Sequence, residues 1–338
     1  MEKHSGMKRI VFRADAKPSL GTGDLASLVN LSKYFDRAGW GTYFIAKGHK
    51  AATGLLERHG VKNALLLDEG VAINDEIEQI NDYLKMSRAD AIMFEITERP
   101  LTEYSGITDK VMMACVNFDG VIPDKTSLVI NWDVDADNLF DIKKHRSTRF
   151  LLGPQYAVLP ISFDFKRIDN RAYKSKPEIL LIAMGGADEL DFTQKIADAV
   201  TARDASLKLR IVVGSGYQYL DRLKKGLKDE RCDIKIMQNI DKMFEEFMGC
   251  DIAIGAGGLT AFELMATRTP SLIMATYEHQ IARCLYFDKM GWATYLGFRT
   301  FDKARLSKAL EGNSRVPPRN IFKTEEIRKA VDELLERR

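Results

Sequence analysis

The feature that most restricts the fold of this chain is an alternation of short apolar segments with helical segments, which runs along it twice. Strand-like runs at residues 9–13 and 42–46 are separated by a segment in which Leu28, Leu31 and Phe35 recur at spacings of three and four. Strands that are bounded by helices on both sides form parallel sheets, which are buried on both faces. The pattern therefore predicts an α/β protein.

The alternation fails once, between residues 156 and 176, where Pro160 and many charged residues leave no clean period. A chain of 338 residues also exceeds what one hydrophobic core usually supports. We therefore predict two Rossmann-like domains with a cleft between them. The first covers residues 7–155, the connection is 156–176, and the second covers 177–338 and includes a terminal helix.

The individual elements follow from the same periodicities. In the first domain the predicted strands are 9–13, 42–46, 64–67, 91–94, 111–118 and 128–130, and helices are predicted from residue 25 to 39, at 51–58 and at 73–86. In the second domain the predicted strands are 179–183, 209–213, 234–237, 252–254 and 271–274. Its predicted helices are 191–200, 219–227, 243–248, 261–266 and 324–336.

Charge and cysteine usage exclude several classes of function. The 50 lysines and arginines nearly balance the 48 acidic residues, so a net charge of +2 gives no reason to expect a nucleic acid as partner. The cysteines form no CxxC pair, which fits a reducing compartment and argues against disulfides or zinc; they are Cys115, Cys232, Cys250 and Cys284. No transmembrane segment and no secretory run is apparent. We predict a cytoplasmic protein.

Three glycine loops follow predicted strands, at the edge of the sheet where open α/β proteins bind ligands. Without a Cβ, their backbone amides can approach an anion, and the next helix favours negative charge. A strand–helix turn also uses glycine merely to pack, so each loop taken singly is weak evidence. The glycines that we assign to ligand binding are Gly21 and Gly23, Gly185 and Gly186, and Gly257 and Gly258.

The third loop gives the most specific signal. Thr260 can cap the following helix and donate a hydroxyl, and Glu263 stands one turn further on, where its carboxylate could accept hydrogen bonds from a ribose. The alternative for Glu263 is a solvated acid in the first turn, which the helix dipole favours.

Several motifs, in order along residues 9–297, resemble the PseG/SpsG family, the nucleotide-sugar hydrolases of pseudaminic acid biosynthesis, which is similar to GT-B glycosyltransferases of the MurG type. The matching segments are 12–16 with 20–23, 151–154 with Tyr156 and Ala157, 184–186 with Asp188, 253–258 with Thr260 and Glu263, and Glu278 with Gln280. The resemblance implies the GT-B form of the two-domain fold.

The resemblance also implies that the second domain binds uridine diphosphate or a related nucleotide. The amides of Gly257, Gly258, Leu259 and Thr260 would hold the diphosphate and Glu263 the ribose, while backbone from Met237 to Ile240 would hold the base. Glu278 and Gln280 would reach towards the phosphates or the sugar. His279 is the only histidine in a motif-bearing loop, where either a ligand contact or simple surface exposure is possible.

The first domain departs from the family. Asp24 stands where the hydrolases have a histidine that activates water, Ser27 replaces an arginine, and the family's Asp-His-Tyr segment aligns with residues 95–97, which are Glu-Ile-Thr. The half of the protein that binds the donor is retained, whereas the half that performs the chemistry has changed.

Asp24 is our candidate catalytic base, because a carboxylate can take the proton of an attacking hydroxyl. Some inverting GT-B glycosyltransferases look similar, with an aspartate base after the first strand. The alternative is that Asp24 only caps the first helix. Helix amides rather than a metal would stabilise the leaving diphosphate, so we expect no metal or redox cofactor.

Other polar residues are lesser candidates. Asp119 and Asn131 correspond to cleft positions of the family, and Arg13 with Asp15 is expected to be a structural ion pair near the sheet edge. The acidic cluster at residues 133–137 lacks the glycine and the closing glutamate of an EF-hand. A dehydrogenase is excluded because Ala26 stands at the third glycine position of the Rossmann motif.

Three functions remain open. The first is an inverting glycosyltransferase that uses a UDP- or other nucleotide-activated sugar, of amino or nonulosonic type, in surface-glycan or flagellar glycosylation. Its acceptor would be a sugar, a lipid-linked molecule or a protein. The second is a hydrolase that releases the sugar from UDP, with water as acceptor. The third is a catalytically silent protein that binds nucleotide sugars.

Overall fold

Two parallel sheets, one in each of two α/β units, organise the chain. The computed structural model describes residues 6–16, 23–163, 165–203, 206–214, 216–227, 232–240, 242–312 and 315–338. Unit 1 consists of Met1–Ile161 with Phe322–Arg338, and unit 2 consists of Ser162–Ile321. The division at residues 161 and 162 lies inside the segment that the sequence predicts as the connection.

Unit 1 is built on a parallel sheet of seven strands in the order β3-β2-β1-β4-β5-β6-β7. The strands are β1 (Arg9–Ala14), β2 (Gly41–Lys47), β3 (Ala64–Leu67), β4 (Ala91–Glu95), β5 (Met112–Val116), β6 (Thr126–Asn131) and β7 (Arg149–Leu152). Its first three α-helices are α1 (Gly23–Arg37), α2 (Lys50–Arg58) and α3 (Ile73–Ser87). All of these helices, and all of the strands except β7, are expected from the sequence.

Aromatic packing joins the first helix to the first two strands. The ring of Phe12 in β1 lies 5.6 Å from that of Phe35 in α1 and 5.3 Å from that of Phe44 in β2. All three side chains are buried, as are Leu25 and Leu28 of the same helix. The three-to-four spacing of apolar residues in α1 therefore places one face of the helix on the sheet.

The strand order reverses between β1 and β4, and this reversal brings two chain segments together. The two strands pair in parallel, with Ala14 of β1 opposite Glu95 of β4. The loops that follow them leave the sheet at the same edge, on adjacent strands. Such a switch point is where open α/β sheets bind ligands.

Unit 2 repeats this design with a parallel sheet of six strands in the order β10-β9-β8-β11-β12-β13. The strands are β8 (Ile179–Ala183), β9 (Lys208–Val213), β10 (Ile234–Gln238), β11 (Ile252–Ala256), β12 (Ser271–Ala275) and β13 (Thr294–Phe298). The helices are α4 (Phe165–Asp169), α5 (Phe192–Arg203), α6 (Leu220–Gly226), α7 (Met243–Gly249), α8 (Leu259–Ala266), α9 (Ile281–Lys289) and α10 (Lys303–Leu310). Four of these elements, α4, α9, α10 and β13, are not expected from the sequence.

The last helix, α11 (Thr324–Glu336), belongs to unit 1, so the prediction that residues 177–338 form one domain is wrong at its end. Its apolar residues Ile327, Ala330 and Val331 are fully buried. The Thr324 hydroxyl donates to the Ala157 carbonyl at 2.8 Å. An amphipathic period predicts a helix but does not say which sheet its apolar face covers. In the described part of the chain, no helix is both long and apolar enough to cross a bilayer.

Candidate functional site

At the start of α8 in unit 2, the backbone amides of Gly258, Leu259 and Thr260 have no hydrogen-bond acceptor among the described residues. Gly257 and Gly258 connect β11 to this helix, Gly258 is its N-cap residue, and no side chain caps it. The amides of Leu259 and Thr260 are in the first turn, where no intrahelical acceptor exists. Thr260 lies within the helix, so the expectation that it caps α8 is wrong. Gly258, Leu259 and Thr260 are each half-buried, which leaves this helix end accessible.

The two glycines of this loop have different surroundings. A Cβ on Gly257 would lie 2.5 Å from the Cys284 sulfur and 3.1 Å from Cβ of Gln280, so this glycine is required by packing. Its amide donates to the Met274 carbonyl at 2.8 Å, so the expectation that this amide holds a diphosphate is wrong. A Cβ on Gly258 would meet only the Gln280 side-chain nitrogen, at 3.6 Å. A ligand can therefore approach the backbone at Gly258.

This difference predicts the stability of two alanine variants. Gly257→Ala is expected to lower the free energy of unfolding by about 1–3 kcal/mol, because the new methyl group overpacks the contact with Cys284. Gly258→Ala, the matched control, is expected to change it by less than about 1 kcal/mol. Urea denaturation of both variants measures the difference. Equal stabilities would contradict this account of the loop.

Two buried side chains that follow β12 hold the loops at this edge of the sheet. The Gln280 carbonyl oxygen accepts hydrogen bonds from the backbone amides of Thr276 and Tyr277, at 2.9 and 3.4 Å. Arg283, which is buried in α9, donates to the Gly257 carbonyl at 2.9 Å. Gln280, assigned from the sequence to the ligand, thus holds the start of the loop after β12 through its oxygen, while its nitrogen faces Gly258. No role for Arg283 follows from the sequence, because α9 is not among the predicted helices.

Glu278 and His279 lie in the loop after β12, at the same edge of the sheet. Both are exposed, as is Tyr277, whose ring stacks on the His279 imidazole with a centroid distance of 5.8 Å and an angle of 11°. For His279, the structure thus shows the surface exposure that the sequence left possible. Because the side chains of Glu278 and His279 are exposed to solvent, neither needs a ligand to satisfy its polar atoms.

Glu263 is the only charged residue of α8 and is half-buried. Among the described residues, none forms a hydrogen bond or ion pair with its carboxylate, and loss of hydration raises its pKa to about 7. It is the fifth residue of the helix, beyond the first turn in which the helix dipole acts. The alternative of a solvated first-turn acid is therefore wrong.

The raised pKa of Glu263 predicts a dependence of stability on pH. The native protein holds this proton more tightly than the unfolded chain, whose glutamate has an ordinary pKa of 4.5. The stabilisation is fully present below pH 4.5 and is lost as the pH rises through about 7. Partial exposure screens the charge, so we expect Glu263→Gln to gain about 2 kcal/mol over the parent protein across this interval. Urea denaturation of both proteins at several pH values measures this difference in the free energy of unfolding. A difference that stays constant with pH would contradict the prediction.

The other predicted glycine loop of unit 2 follows β8. Gly185 has φ of +91°, a conformation that favours glycine, and a Cβ on either Gly185 or Gly186 would meet nothing within 4 Å. The carboxylate of Asp188 accepts from the amides of Phe192 and Thr193, at 3.0 and 2.7 Å, and so caps α5. The backbone of Gly185 and Gly186 is thus open at the same edge as Gly258.

The segment predicted to hold the base lies at the far side of the same sheet. Met237 is in the edge strand β10, paired with Val212 of β9, and Ile240 follows the turn at Asn239. Three strand spacings separate β10 from β11, about 14 Å. A ligand that touches both this segment and the start of α8 has to cross the carboxyl ends of β8 and β9.

In unit 1, Asp24 lies in the first turn of α1, which begins at Gly23. It is therefore inside the helix and not at the N-cap position that the alternative required. The Thr97 hydroxyl donates to its carboxylate at 3.0 Å. Loss of hydration and the negative charge of Asp15 raise the pKa of Asp24, while the hydrogen bond from Thr97 opposes that rise. Of the other predicted residues, Gly23 is exposed and Gly21 lies outside the described residues.

Glu95 is a second carboxyl group beside Asp24. It ends β4, its side chain is buried, and its carboxyl oxygen bonds with the hydroxyl of Ser27. Burial, followed by the negative charge of Asp24, holds the pKa of Glu95 well above its ordinary value. The sequence comparison assigned Ser27 and Glu95 only to changed family positions. A glutamate that ends a fully apolar strand is the signal that could have identified it.

Arg13 and Asp15 form a buried ion pair at 2.6 Å, as the sequence predicts. Glu76 of α3 joins them with a 2.7 Å contact to Arg13, and the Tyr104 hydroxyl donates to Glu76 at 2.8 Å. The pair stands at the end of β1, at the edge of the sheet from which the loops leave, and β1 itself is an inner strand with β2 on one side and β4 on the other. The network pairs the buried Arg13 with two carboxylates, and one of these, Asp15, acts on Asp24 through its negative charge.

Asp119 and Asn131 support loops. The carboxylate of Asp119 accepts from the Asn117 amide group and the Val121 amide, both at 2.8 Å. The Asn131 side chain donates to the Asn117 carbonyl at 2.9 Å and accepts from the Asp133 amide at 2.7 Å. Within the described ranges, no group of three or more histidines, cysteines, aspartates or glutamates is arranged to hold a metal ion.

Comparisons with curated proteins give three partial similarities. The chain is 30% identical over 149 residues to an uncharacterized protein of Methanocaldococcus jannaschii, which is 43% of this chain and 30% of that protein. It is 26% identical over 235 residues to the spore coat polysaccharide biosynthesis protein SpsG of Bacillus subtilis, covering 67% of this chain and 68% of SpsG. No protein-family model matches the chain.

The third similarity is to UDP-N-acetylglucosamine--N-acetylmuramyl-(pentapeptide) pyrophosphoryl-undecaprenol N-acetylglucosamine transferase of Thiobacillus denitrificans. It is 25% identical over 151 residues, which are 43% of this chain and 41% of the transferase. The matches thus span less than half of the length of the archaeal protein and of this transferase.

Solved structures match over nearly the whole chain. MurG of Acinetobacter baumannii has a TM-score of 0.63 at 14% identity and covers 97% of this chain and 98% of its own. The UDP-GlcNAc 2-epimerase of Methanocaldococcus jannaschii has the same TM-score at 12% identity, with coverages of 98% and 100%. MnaA of S. aureus, solved with UDP, has a TM-score of 0.55 at 11% identity, with coverages of 97% and 95%. The chain is therefore a two-unit α/β protein with the GT-B fold that these enzymes share.

Proposed function

We propose that the protein is a nucleotide-sugar-dependent enzyme, and specifically an inverting glycosyltransferase. Its donor is a UDP-sugar or another nucleotide-activated sugar, of amino or nonulosonic type, and its product belongs to a surface glycan or a flagellar glycoprotein. The observation that carries this proposal is the start of α8. There, open amides at Gly258, Leu259 and Thr260 accompany a half-buried Glu263 carboxylate that no described residue neutralises.

This arrangement suits a nucleoside diphosphate. A helix N-terminus favours anionic phosphate through its amides and its dipole. The Glu263 carboxylate can accept hydrogen bonds from a ribose diol, which would satisfy a polar group that is otherwise costly to bury. The similarity to MurG, and to MnaA, which was solved with UDP, supports the same type of ligand.

The chemical step uses the carboxylate of Asp24. The acceptor hydroxyl attacks C1 of the sugar, the bond between C1 and the phosphate oxygen breaks, and the hydroxyl proton passes to Asp24. The nucleoside diphosphate leaves with the electron pair of that bond, and the amides at the start of α8 stabilise its charge without a metal ion. Attack opposite to the leaving group inverts the configuration at C1.

The second candidate is hydrolysis of the nucleotide sugar, which the resemblance of residues 12–16 and 253–258 to the hydrolase family favours. Water would then replace the acceptor, and Asp24 would take the proton from it. The lost histidine, arginine and tyrosine of the family site support transfer instead.

An assay with nucleotide sugars separates these functions. The protein is incubated with UDP-, CMP-, GDP- and dTDP-sugars, with and without sugar, lipid-linked and protein acceptors, and released nucleotide and free sugar are measured. Transfer predicts nucleotide release that depends on an acceptor. Steady release of free sugar without acceptor would instead support the hydrolase. Binding without turnover, unchanged in Asp24→Ala, would overturn both in favour of a silent binder.

A further inference from the structure

Glu95 is a buried acid that the proposed reaction does not use. It is 3% exposed, and within the described chain it forms no ion pair with a lysine, arginine or histidine. Its one hydrogen-bonded partner among these residues is the hydroxyl of Ser27, which is itself 1% exposed. An ionised carboxylate in this position would be costly, because burial penalises a charge that no cation compensates.

Proton counting at Ser27 points to the neutral form of Glu95. The serine oxygen lies 3.1 Å from the Asp24 carbonyl, one helical turn earlier, and also contacts the Glu95 carboxyl group. A hydroxyl has one proton to donate and can accept others. Serines in helices commonly donate their hydroxyl proton to a backbone carbonyl of the preceding turn. If Ser27 donates to the Asp24 carbonyl in this way, the hydrogen bond between Ser27 and Glu95 requires a proton on the Glu95 carboxyl group.

We propose that Glu95 keeps its proton and acts, through Ser27, as the positioning residue for Asp24. Glu95 donates to Ser27, Ser27 donates to the Asp24 carbonyl, and Thr97 donates to the Asp24 carboxylate at 3.0 Å. The base is thereby fixed at its main chain and at one carboxylate oxygen. Its other oxygen can face the acceptor.

The groups around Glu95 fit this assignment. From α1 the ionisable neighbour is Asp24, whose negative charge disfavours a second charge on Glu95. From β5 the residue paired with Glu95 is the apolar Val116. At the ends of β1 and β2 the charges are already paired, Asp15 with Arg13 at 2.6 Å and Lys47 with Glu98 at 3.3 Å.

The inference rests on the proposed function only where it calls Asp24 the catalytic base. The proton on Glu95 and the hydrogen bonds that position Asp24 do not depend on any substrate. They are measured without substrate by recording the pH titration of the Asp24 carboxyl carbon by NMR, in protein labelled with ¹³C-aspartate. Loss of the signal in Asp24→Asn assigns it. Turnover is measured separately, over pH 6–9 with the best nucleotide sugar.

Glu95→Gln tests the protonated form, because glutamine has the same shape and also donates a hydrogen bond. The Asp24 titration is expected to stay where it is in the parent protein, and kcat to stay within about threefold at each pH. A clear downward movement of the Asp24 titration would show that Glu95 carries a charge, and would overturn the proposal. A loss of activity as large as that of Asp24→Asn would identify Glu95 as the base, and would also overturn it.

Ser27→Ala tests the connection, and Ser32→Ala is its matched control. Ser32 is on the same helix, equally buried, and donates to the Val29 carbonyl three residues earlier at 2.9 Å, but it does not contact Glu95. Ser27→Ala is expected to lower kcat by about tenfold or more and to change the midpoint of the Asp24 pH titration. Ser32→Ala should do neither. If the two variants shifted the Asp24 titration midpoint equally, the proposed connection from Glu95 through Ser27 to Asp24 would be contradicted, even if the protein showed no sugar transfer.

Discussion

Replacing Asp24 by asparagine is expected to lower kcat for sugar transfer by about 10²–10⁴-fold, the usual contribution of a general base. The amide keeps the size of the side chain and the hydrogen bond from Thr97 but cannot take a proton. Nucleotide affinity should remain within a few fold, because the proposed donor site is built from unit 2. The measurement is steady-state turnover together with calorimetric titration of the nucleotide.

Asp36→Asn is the matched control for this experiment. Asp36 is a partly exposed acid near the other end of α1 and accepts a hydrogen bond from Thr42 at 2.6 Å. Its variant should transfer sugar at the parent rate. Asp24→Asn with unimpaired turnover would show that the carboxylate does not act as the base, and the inverting mechanism would fall with it.

Glu263→Gln is expected to weaken binding of UDP or the preferred nucleotide by about 10–100-fold. Hydrogen bonds to a charged group contribute about 1.5–3 kcal/mol, and glutamine cannot replace a carboxylate that accepts from both ribose hydroxyls. Calorimetry above pH 7, where Glu263 is ionised, gives the largest difference. The same substitution should stabilise the empty protein at that pH, which is the trade-off expected of a binding residue.

Glu311→Gln serves as the control, because Glu311 is an exposed acid of unit 2 that pairs with Arg203 at 2.8 Å. It should leave the affinity unchanged. If Glu263→Gln bound the nucleotide as tightly as this control, the ribose contact would be wrong even though the diphosphate could still lie at α8.

The fold is largely predictable from the sequence because strands that are buried on both faces appear in it as short, continuous apolar runs. The strands that were missed, β7 and β13, are the outer strands of their sheets. In β13 only Leu296 is buried, so it lacks the continuous apolar run of an inner strand. The placement of α11 was missed for a different reason, since its apolar period is satisfied equally well by either sheet.

The site is less predictable because its residues come from elements that meet only in the folded chain. Glu95 lies beside Asp24 through the pairing of β1 with β4, which connects residues about eighty positions apart. The glycine pattern likewise did not reveal that Gly257 packs against Cys284 whereas Gly258 is open. Glu263 is a candidate in the sequence only because it stands about one helical turn after the glycine loop, whereas its half-buried carboxylate, with its raised pKa, is visible only in the structure.

The most direct test is a crystal structure of the protein with UDP or the nucleotide that binds most tightly. The account predicts diphosphate oxygens at about 2.7–3.2 Å from the backbone nitrogens of Gly258, Leu259 or Thr260, and the ribose hydroxyls against the Glu263 carboxylate. A nucleotide that is bound elsewhere, with the start of α8 empty or closed by side chains, would contradict it.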